Sequence, residues 1–187
     1  MGKTSLLTAR TSQCCSIWYH PNIFDTYQVK VSQGSATIEL EVWDTSGKDC
    51  VFSAWPNVHQ AVNVYLLCFA LNSPTSFRNV QTKWYPEVLR YAPDVPFVLV
   101  GTQLDVRNDS AKGVDTCMIT QQMGEQLKEQ INAHAYIECS AVECIRLIEV
   151  FEAAVRCASP TPLRPPSPAD QSANNTFSFY TRITLLR

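Results

Sequence analysis

The chain has 187 residues, enough for one domain with a sizeable core and a tail. With 45% hydrophobic and 17% charged residues, its composition is that of a globular protein and excludes a largely disordered chain. A formal net charge of −2 supplies no global field for a polyanion, which argues against nucleic acid as a partner, whereas a phosphorylated small molecule needs only local positive potential.

In chain order, residues Lys3 to Thr11 read as a short helix with Leu6 and Leu7 facing inward. Thr26–Ser32 and Ala36–Trp43 alternate around Gln33-Gly34-Ser35 and predict a hairpin. Val64–Leu71 is a continuous apolar run of strand length, as expected for a strand covered on both faces. Ser73-Pro74 then opens a helix, with Ser73 as cap and Phe77, Val80, Trp84 and Val88 at helical spacing. Val95–Gly101 predicts a second buried strand, Thr120–Ile131 an amphipathic helix, Ala135–Cys139 a short strand and Ile145–Ala158 a final helix. Strands alternating with helices indicate an α/β fold with a mostly parallel sheet. Residues 159–168 hold five prolines and stop the helix. The reading therefore divides the chain into a domain over 1–158 and a proline-rich, flexible tail over 159–187.

The eight cysteines form no C-x-x-C pair, which argues against a structural zinc site. The start MGKTSLLTAR has no apolar leader, so a reducing, cytoplasmic setting is expected. No apolar run approaches the roughly 20 residues of a membrane span. Thr184-Leu185-Leu186-Arg187 has no cysteine four from the end, so no prenyl anchor is expected and membrane contact would come only through partners.

Four constellations carry chemistry. Gly2-Lys3-Thr4 stands at the mouth of a helix, where backbone N–H groups cradle phosphates, a lysine neutralises them and a hydroxyl ligates Mg²⁺; Ser5 follows in the same turn. Asp44-Thr45-Ser46-Gly47 follows a predicted strand, placing a carboxylate to hold Mg²⁺ through water and a glycine N–H near a γ-phosphate. Thr102-Gln103-Leu104-Asp105 also follows a strand, and its carboxylate can accept both N1–H and N2–H of guanine, which adenine cannot donate. Glu138-Cys139-Ser140-Ala141 offers backbone N–H groups at a third strand end. Each alone reads as a turn, a cap or a strand exit. Their common placement at carboxyl ends of predicted strands, where open α/β sheets bind ligands, is what joins them.

With these stretches, and with Trp43-Asp44, Ser73-Pro74-Thr75-Ser76-Phe77 and Lys83-Trp84-Tyr85-Pro86-Glu87, the chain resembles a Rho/Rac-type small GTPase of the Ras superfamily from Gly2 to about Ala158. The resemblance implies a P-loop NTPase (Ras-like) sheet flanked by helices, binding of GTP or GDP with Mg²⁺, and a switch role in cytoskeleton-type signalling. It assigns nucleotide contact to Gly2, Lys3, Thr4, Ser5, Gly47, Thr102, Gln103, Asp105, Ser140 and Ala141. It assigns metal ligation to Thr4, Asn22 and, through water, Asp44. The segment Tyr19-His20-Pro21-Asn22-Ile23-Phe24-Asp25 is similar to the first, effector-contacting switch, with effectors and regulators of Rho type implied.

The chain departs from the family's pattern in four ways. The strand that precedes the phosphate loop and the loop's start are missing, which predicts two strands each with an unpaired edge, at about 1–3 kcal/mol per buried orphan group. Lys48 stands where the family has the glutamine that orients the attacking water, and an ammonium has donors but no acceptor, so slow hydrolysis is expected. Asn22 replaces the usual metal-ligating threonine. The stretch Asn108–Met118 is shorter than the Rho-type insert it resembles. The tail carries Pro162-Leu163-Arg164-Pro165 and Pro165-Pro166-Ser167-Pro168, which match the PxxP pattern of SH3 ligands and equally a solvated linker. A rival reading keeps the fold as a catalytically silent scaffold that holds partners through the switch-like loop and the tail.

Overall fold

The computed structural model describes residues 2–12, 24–33, 36–45, 62–110, 118–158, 161–162 and 178–186. In chain order these form α1 (Lys3–Ser12), β1 (Phe24–Gln33), β2 (Ala36–Thr45), β3 (Val64–Ala70), α2 (Pro74–Asn79), a π-helical stretch (Val80–Trp84) and α3 (Tyr85–Tyr91). There follow β4 (Phe97–Thr102), α4 (Leu104–Ser110), α5 (Gln121–Gln130), β5 (Ala135–Glu138), α6 (Leu147–Cys157), β6 (Thr161–Pro162) and β7 (Ser178–Leu186).

The strands form one sheet in the order β1-β2-β7-β3-β4-β5, with β6 paired to β7 off this path. β1 and β2 are the expected antiparallel hairpin, in register from Phe24↔Thr45 to Gln33↔Ala36. The contacts of β2 with β7, β7 with β3, β3 with β4 and β4 with β5 are all parallel. The carboxyl ends of β2, β4 and β5 therefore point to the same edge of the sheet, which is what brings the motifs together.

β3 shows why the sheet is covered on both sides. Its seven residues are all buried, and they alternate between two cores. Val64, Leu66 and Cys68 pack with Leu6, Leu7, Val42, Phe151, Ile183 and Leu185 on the face of α1 and α6. Tyr65, Leu67 and Phe69 pack with Val80, Trp84, Val88, Leu127 and Tyr136 on the opposite face. A period of two with apolar residues on both phases can only be satisfied between two helical layers.

The helix after β3 starts as expected, with the Ser73 hydroxyl accepting the Ser76 N–H at 3.3 Å and Pro74 in the first turn. It is not regular, however. Pro86 cannot donate to a carbonyl one turn back, and the turn before it widens so that the Tyr85 N–H reaches the Val80 carbonyl. The helix α4 was not expected, because its sequence LDVRNDS has little apolar periodicity.

The tail is the principal correction. Residues 159–187 were expected to be a flexible appendage and two strands to lack partners. Instead Ser178–Leu186 lies between β2 and β3 as a central parallel strand. Its sequence, SFYTRITLL, is rich in aromatic and β-branched residues that suit a pleated, covered position, and Ile183 and Leu185 are fully buried. The preceding prolines, which argue against helix, say nothing against a strand ten or more residues later. No described helix is long and apolar enough to cross a membrane.

Candidate nucleotide site

α1 begins where a ligand would need it to begin. The Gly2 carbonyl accepts the first helical hydrogen bond, from the Leu6 N–H at 2.8 Å, while its own φ of 76° is in the left-handed region that glycine adopts without strain. The first-turn N–H groups of α1 lack intrahelical acceptors and carry the positive end of the helix dipole. Lys3, only 5% exposed, brings its Nζ to 3.3 Å from Oδ1 of Asp44, the penultimate residue of β2. The Thr4 hydroxyl donates to the other oxygen of the same carboxylate. A buried ammonium and carboxylate are costly to desolvate and persist only when each is paired, as here.

These groups fit a hard cation beside a phosphate. A hydroxyl and a carboxylate are oxygen donors of the kind Mg²⁺ takes, and Mg²⁺ completes its shell with water and phosphate oxygens. Among the described residues no group of three or more His, Cys, Asp or Glu could hold a metal.

The purine side lies at the ends of β4 and β5. Thr102 closes β4 and donates its hydroxyl to the Phe69 carbonyl at 3.0 Å. Gln103 has a φ of 63°, a left-handed turn that aims the chain into α4, and its carbonyl accepts from the Arg107 N–H. Asp105 then sits in the first turn of α4 and accepts the Ser140 hydroxyl at 2.6 Å through Oδ1. Ser140, fully buried, also accepts the Glu143 N–H at 3.1 Å, so its rotamer is fixed from both sides. The Leu104 N–H reaches the Cys139 carbonyl at 3.1 Å and ties the two loops together.

One cleft joins the two sides. Gly2, Ser5 and Leu6 of α1 line it together with Thr102, Gln103, Asp105, Cys139, Ala141 and Val142. Its cavity volume is about 70 Å³, so it marks only part of a small-molecule site, which typically spans roughly 300–1,000 Å³. A Cβ placed on Gly2 would make ordinary contact with the Thr102 side chain at 3.7 Å, so it is the positive φ rather than space that favours glycine there.

Of the residues read from sequence, Gly2, Lys3, Thr4, Ser5, Asp44, Thr102, Gln103, Asp105, Ser140 and Ala141 are placed around this cleft or the adjoining Lys3–Asp44 pair. Phe24 and Asp25 open β1, with Asp25 opposite Asp44 in the backbone register. Tyr19, Pro21, Asn22, Ile23, Gly47 and Lys48 lie outside the described residues.

The sequence reading missed a supporting network. Glu138 was treated only as part of a strand exit, yet its buried carboxylate accepts the Tyr136 hydroxyl at 2.7 Å and both terminal nitrogens of Arg107, one at 2.6 Å. Arg107 also donates to the Ile119 carbonyl at 3.1 Å. The hydrogen bond to Glu138 raises the Arg107 pKa further, so the guanidinium is fully charged. Burial, and then the hydrogen bond to Glu138, keeps the Tyr136 phenol protonated. The network pins α4 to β5, and so holds Asp105 and Ser140 in mutual reach. An acidic residue inside the apolar run AYIEC was the available signal.

Residues 1–159 match the Ras family. The Rho-related protein racC of Entamoeba histolytica is 40% identical over 163 residues, covering 83% of each chain.

Proposed function

Because the chain belongs to the Ras family of small GTP-binding proteins, and within it to the Rho type, we propose that its cleft binds GDP and GTP with Mg²⁺ and that the exchange between them is a signalling switch. The observation that carries this reading is the Ser140–Asp105 hydrogen bond of 2.6 Å at the purine side. It leaves the second Asp105 oxygen and the acceptor face of the first for two adjacent N–H donors, which guanine has and adenine lacks. A bound Mg²⁺ would neutralise charge on the phosphate oxygens. Lys3 faces the same phosphates as a fixed cation, and Thr4 and Asp44 supply oxygens to the metal. Lys3, held at 3.3 Å by Asp44, would share its charge with a bound phosphate, and the Asp44 carboxylate would then be available to the metal.

Hydrolysis is slow in this reading. Lys48 has no acceptor with which to orient water, so the triphosphate state outlasts that of a family member carrying glutamine. The same residue favours the second reading, a partner-binding protein that holds nucleotide without turning it over. Tyr19–Asp25 would contact effectors and regulators of Rho type in either case, in the cytoplasm and in cytoskeletal signalling. An SH3-type partner for the tail would have to compete with the fold at one end, because Pro162 is backbone-paired with Phe179. Titration of the folded full chain with fluorescent GDP, GTP and ATP tests the proposal: guanine nucleotides should bind in preference, and equal binding of ATP would refute it.

A further inference from the structure

The purine and phosphate sides of the cleft stand on different halves of the sheet. Asp44, which receives Lys3 and Thr4, ends β2 in the hairpin half. Thr102 and the loop to Ser140 stand on β4 and β5, joined to β3. β2 and β3 are not neighbours: β7 lies between them, paired with β2 from Thr37↔Ser178 to Asp44↔Leu185 and with β3 from Val64↔Ile183 to Leu67↔Leu186.

β7 is also satisfied where β3 does not reach. Its first half pairs with β6, through Thr161↔Tyr180 and Pro162↔Phe179. The short strand that leaves the domain thus covers the strand that returns to it. Residues 163–177 connect the two, and closing a loop of this size costs little beyond a shorter one. On the α1 face, Ile183 and Leu185 share a core with Leu6, Leu7, Val42 and Leu66, which span both halves.

We propose that Ser178–Leu186 is a complementing strand whose insertion assembles the nucleotide site, with Ile183 and Leu185 as its positioning residues. The register carries this: Leu185 lies directly opposite Asp44, so the strand that completes the sheet also fixes the carboxylate that anchors Lys3 and Thr4. With the strand withdrawn, the facing edges of β2 and β3 lose their backbone partners and the distance from Asp44 to Asp105 is no longer set by a continuous ladder. Anything that draws the tail out of the slot would then release nucleotide. The inference rests on the guanine-nucleotide reading for its functional half and on the sheet alone for its structural half.

The test uses the full chain with a protease site inserted within 163–177 and cut after folding. Hydrogen exchange at Ile183 and Leu185, compared with Val42 and Leu66, reads insertion, and GDP titration reads the site. Slow exchange at all four amides, and a GDP affinity that falls when the cut segment is diluted away and returns with a synthetic peptide of residues 178–187, would bear the proposal out. In the uncut chain Ile183→Pro removes a backbone donor from a central strand and should lose at least about tenfold in GDP affinity, or fail to fold, while Ile183→Val keeps both properties. Fast exchange at Ile183 and Leu185 with intact GDP binding, or release of the segment with unchanged melting and affinity, would overturn the proposal. Slow exchange in a chain that ignores guanine nucleotides would overturn the nucleotide-coupled half alone.

Discussion

Ser140 donates its hydroxyl to Asp105 across 2.6 Å, joining the loop after β5 to the first turn of α4. Neither residue is near the other in sequence, and both are held from behind: Ser140 by the Glu143 N–H, and the two loops by the Arg107–Glu138 ion pair. The Asp105 carboxylate is therefore already oriented, and a ligand bound there would not have to order a free side chain.

Replacing Asp105 by Asn exchanges one acceptor for a donor and places it against a guanine N–H. GDP affinity is expected to fall by about 100-fold or more, with melting of the ligand-free protein changed by less than about 1 kcal/mol. Ser140→Ala is expected to weaken GDP by about tenfold, since it frees Asp105 to rotate and leaves the Glu143 N–H without its oxygen. Isothermal titration of both variants against GDP checks the order.

Lys48→Gln restores a side chain with both a donor and an acceptor at the position that follows Asp44-Thr45-Ser46-Gly47. Single-turnover hydrolysis of bound GTP should rise by at least about tenfold, with nucleotide affinity unchanged. An unchanged rate would show that this position does not limit hydrolysis.

Arg107 and Glu138 form a bidentate pair with side chains 20% and 7% exposed. Arg107→Met leaves the buried carboxylate without its cation and should destabilise the fold by about 3 kcal/mol. The double variant Arg107→Met with Glu138→Gln should cost less than the two single variants added together, because it removes both charges. Urea unfolding of the four proteins gives the coupling directly.

Gly124 in α5 faces Tyr136 so closely that an added Cβ would lie 2.1 Å from the ring. The ring cannot retreat, being held by Glu138 at 2.7 Å and stacked on Phe69 with centroids 6.1 Å apart. Gly124→Ala is therefore expected to destabilise by about 2–3 kcal/mol despite the better helix propensity of alanine, as measured by thermal unfolding.

Much of this site was legible in the sequence because its motifs are local. A glycine, a lysine and a threonine at a helix start, and an aspartate at the end of β2 or just past β4, need only the right periodicity on either side to be placed. Residues that depend on long-range pairing were not legible. Arg107 gave no sign of its partner Glu138, 31 positions away, because neither helix α4 nor the inward face of Glu138 follows from a hydrophobic pattern. The tail strand was missed for a similar reason. Its slot is defined by β2 and β3, and a segment that follows five prolines reads as a linker until the sheet shows an opening for it.

Burial pushes the Cys68 thiol up to about 12 from its ordinary 9.0, and raises Cys139 in the same direction. The folded state therefore keeps protons that the unfolded chain releases above pH 9. Stability from these groups is fully present below the ordinary value and is lost as pH rises toward the folded one, on the order of 1 kcal/mol per thiol per pH unit. The melting temperature should hold from neutral pH to about 9 and then fall, and Cys68→Ala should make that fall shallower.

Equilibrium titration of the folded chain with GDP and ATP analogues in the presence of Mg²⁺ tests the central claim most directly. The roles proposed for Asp105, Ser140 and the Lys3–Thr4–Asp44 cluster predict that GDP binds at least about 100-fold more tightly than ADP or ATP. Equal affinity for the two purines, or no binding by a chain shown to be folded, would contradict it.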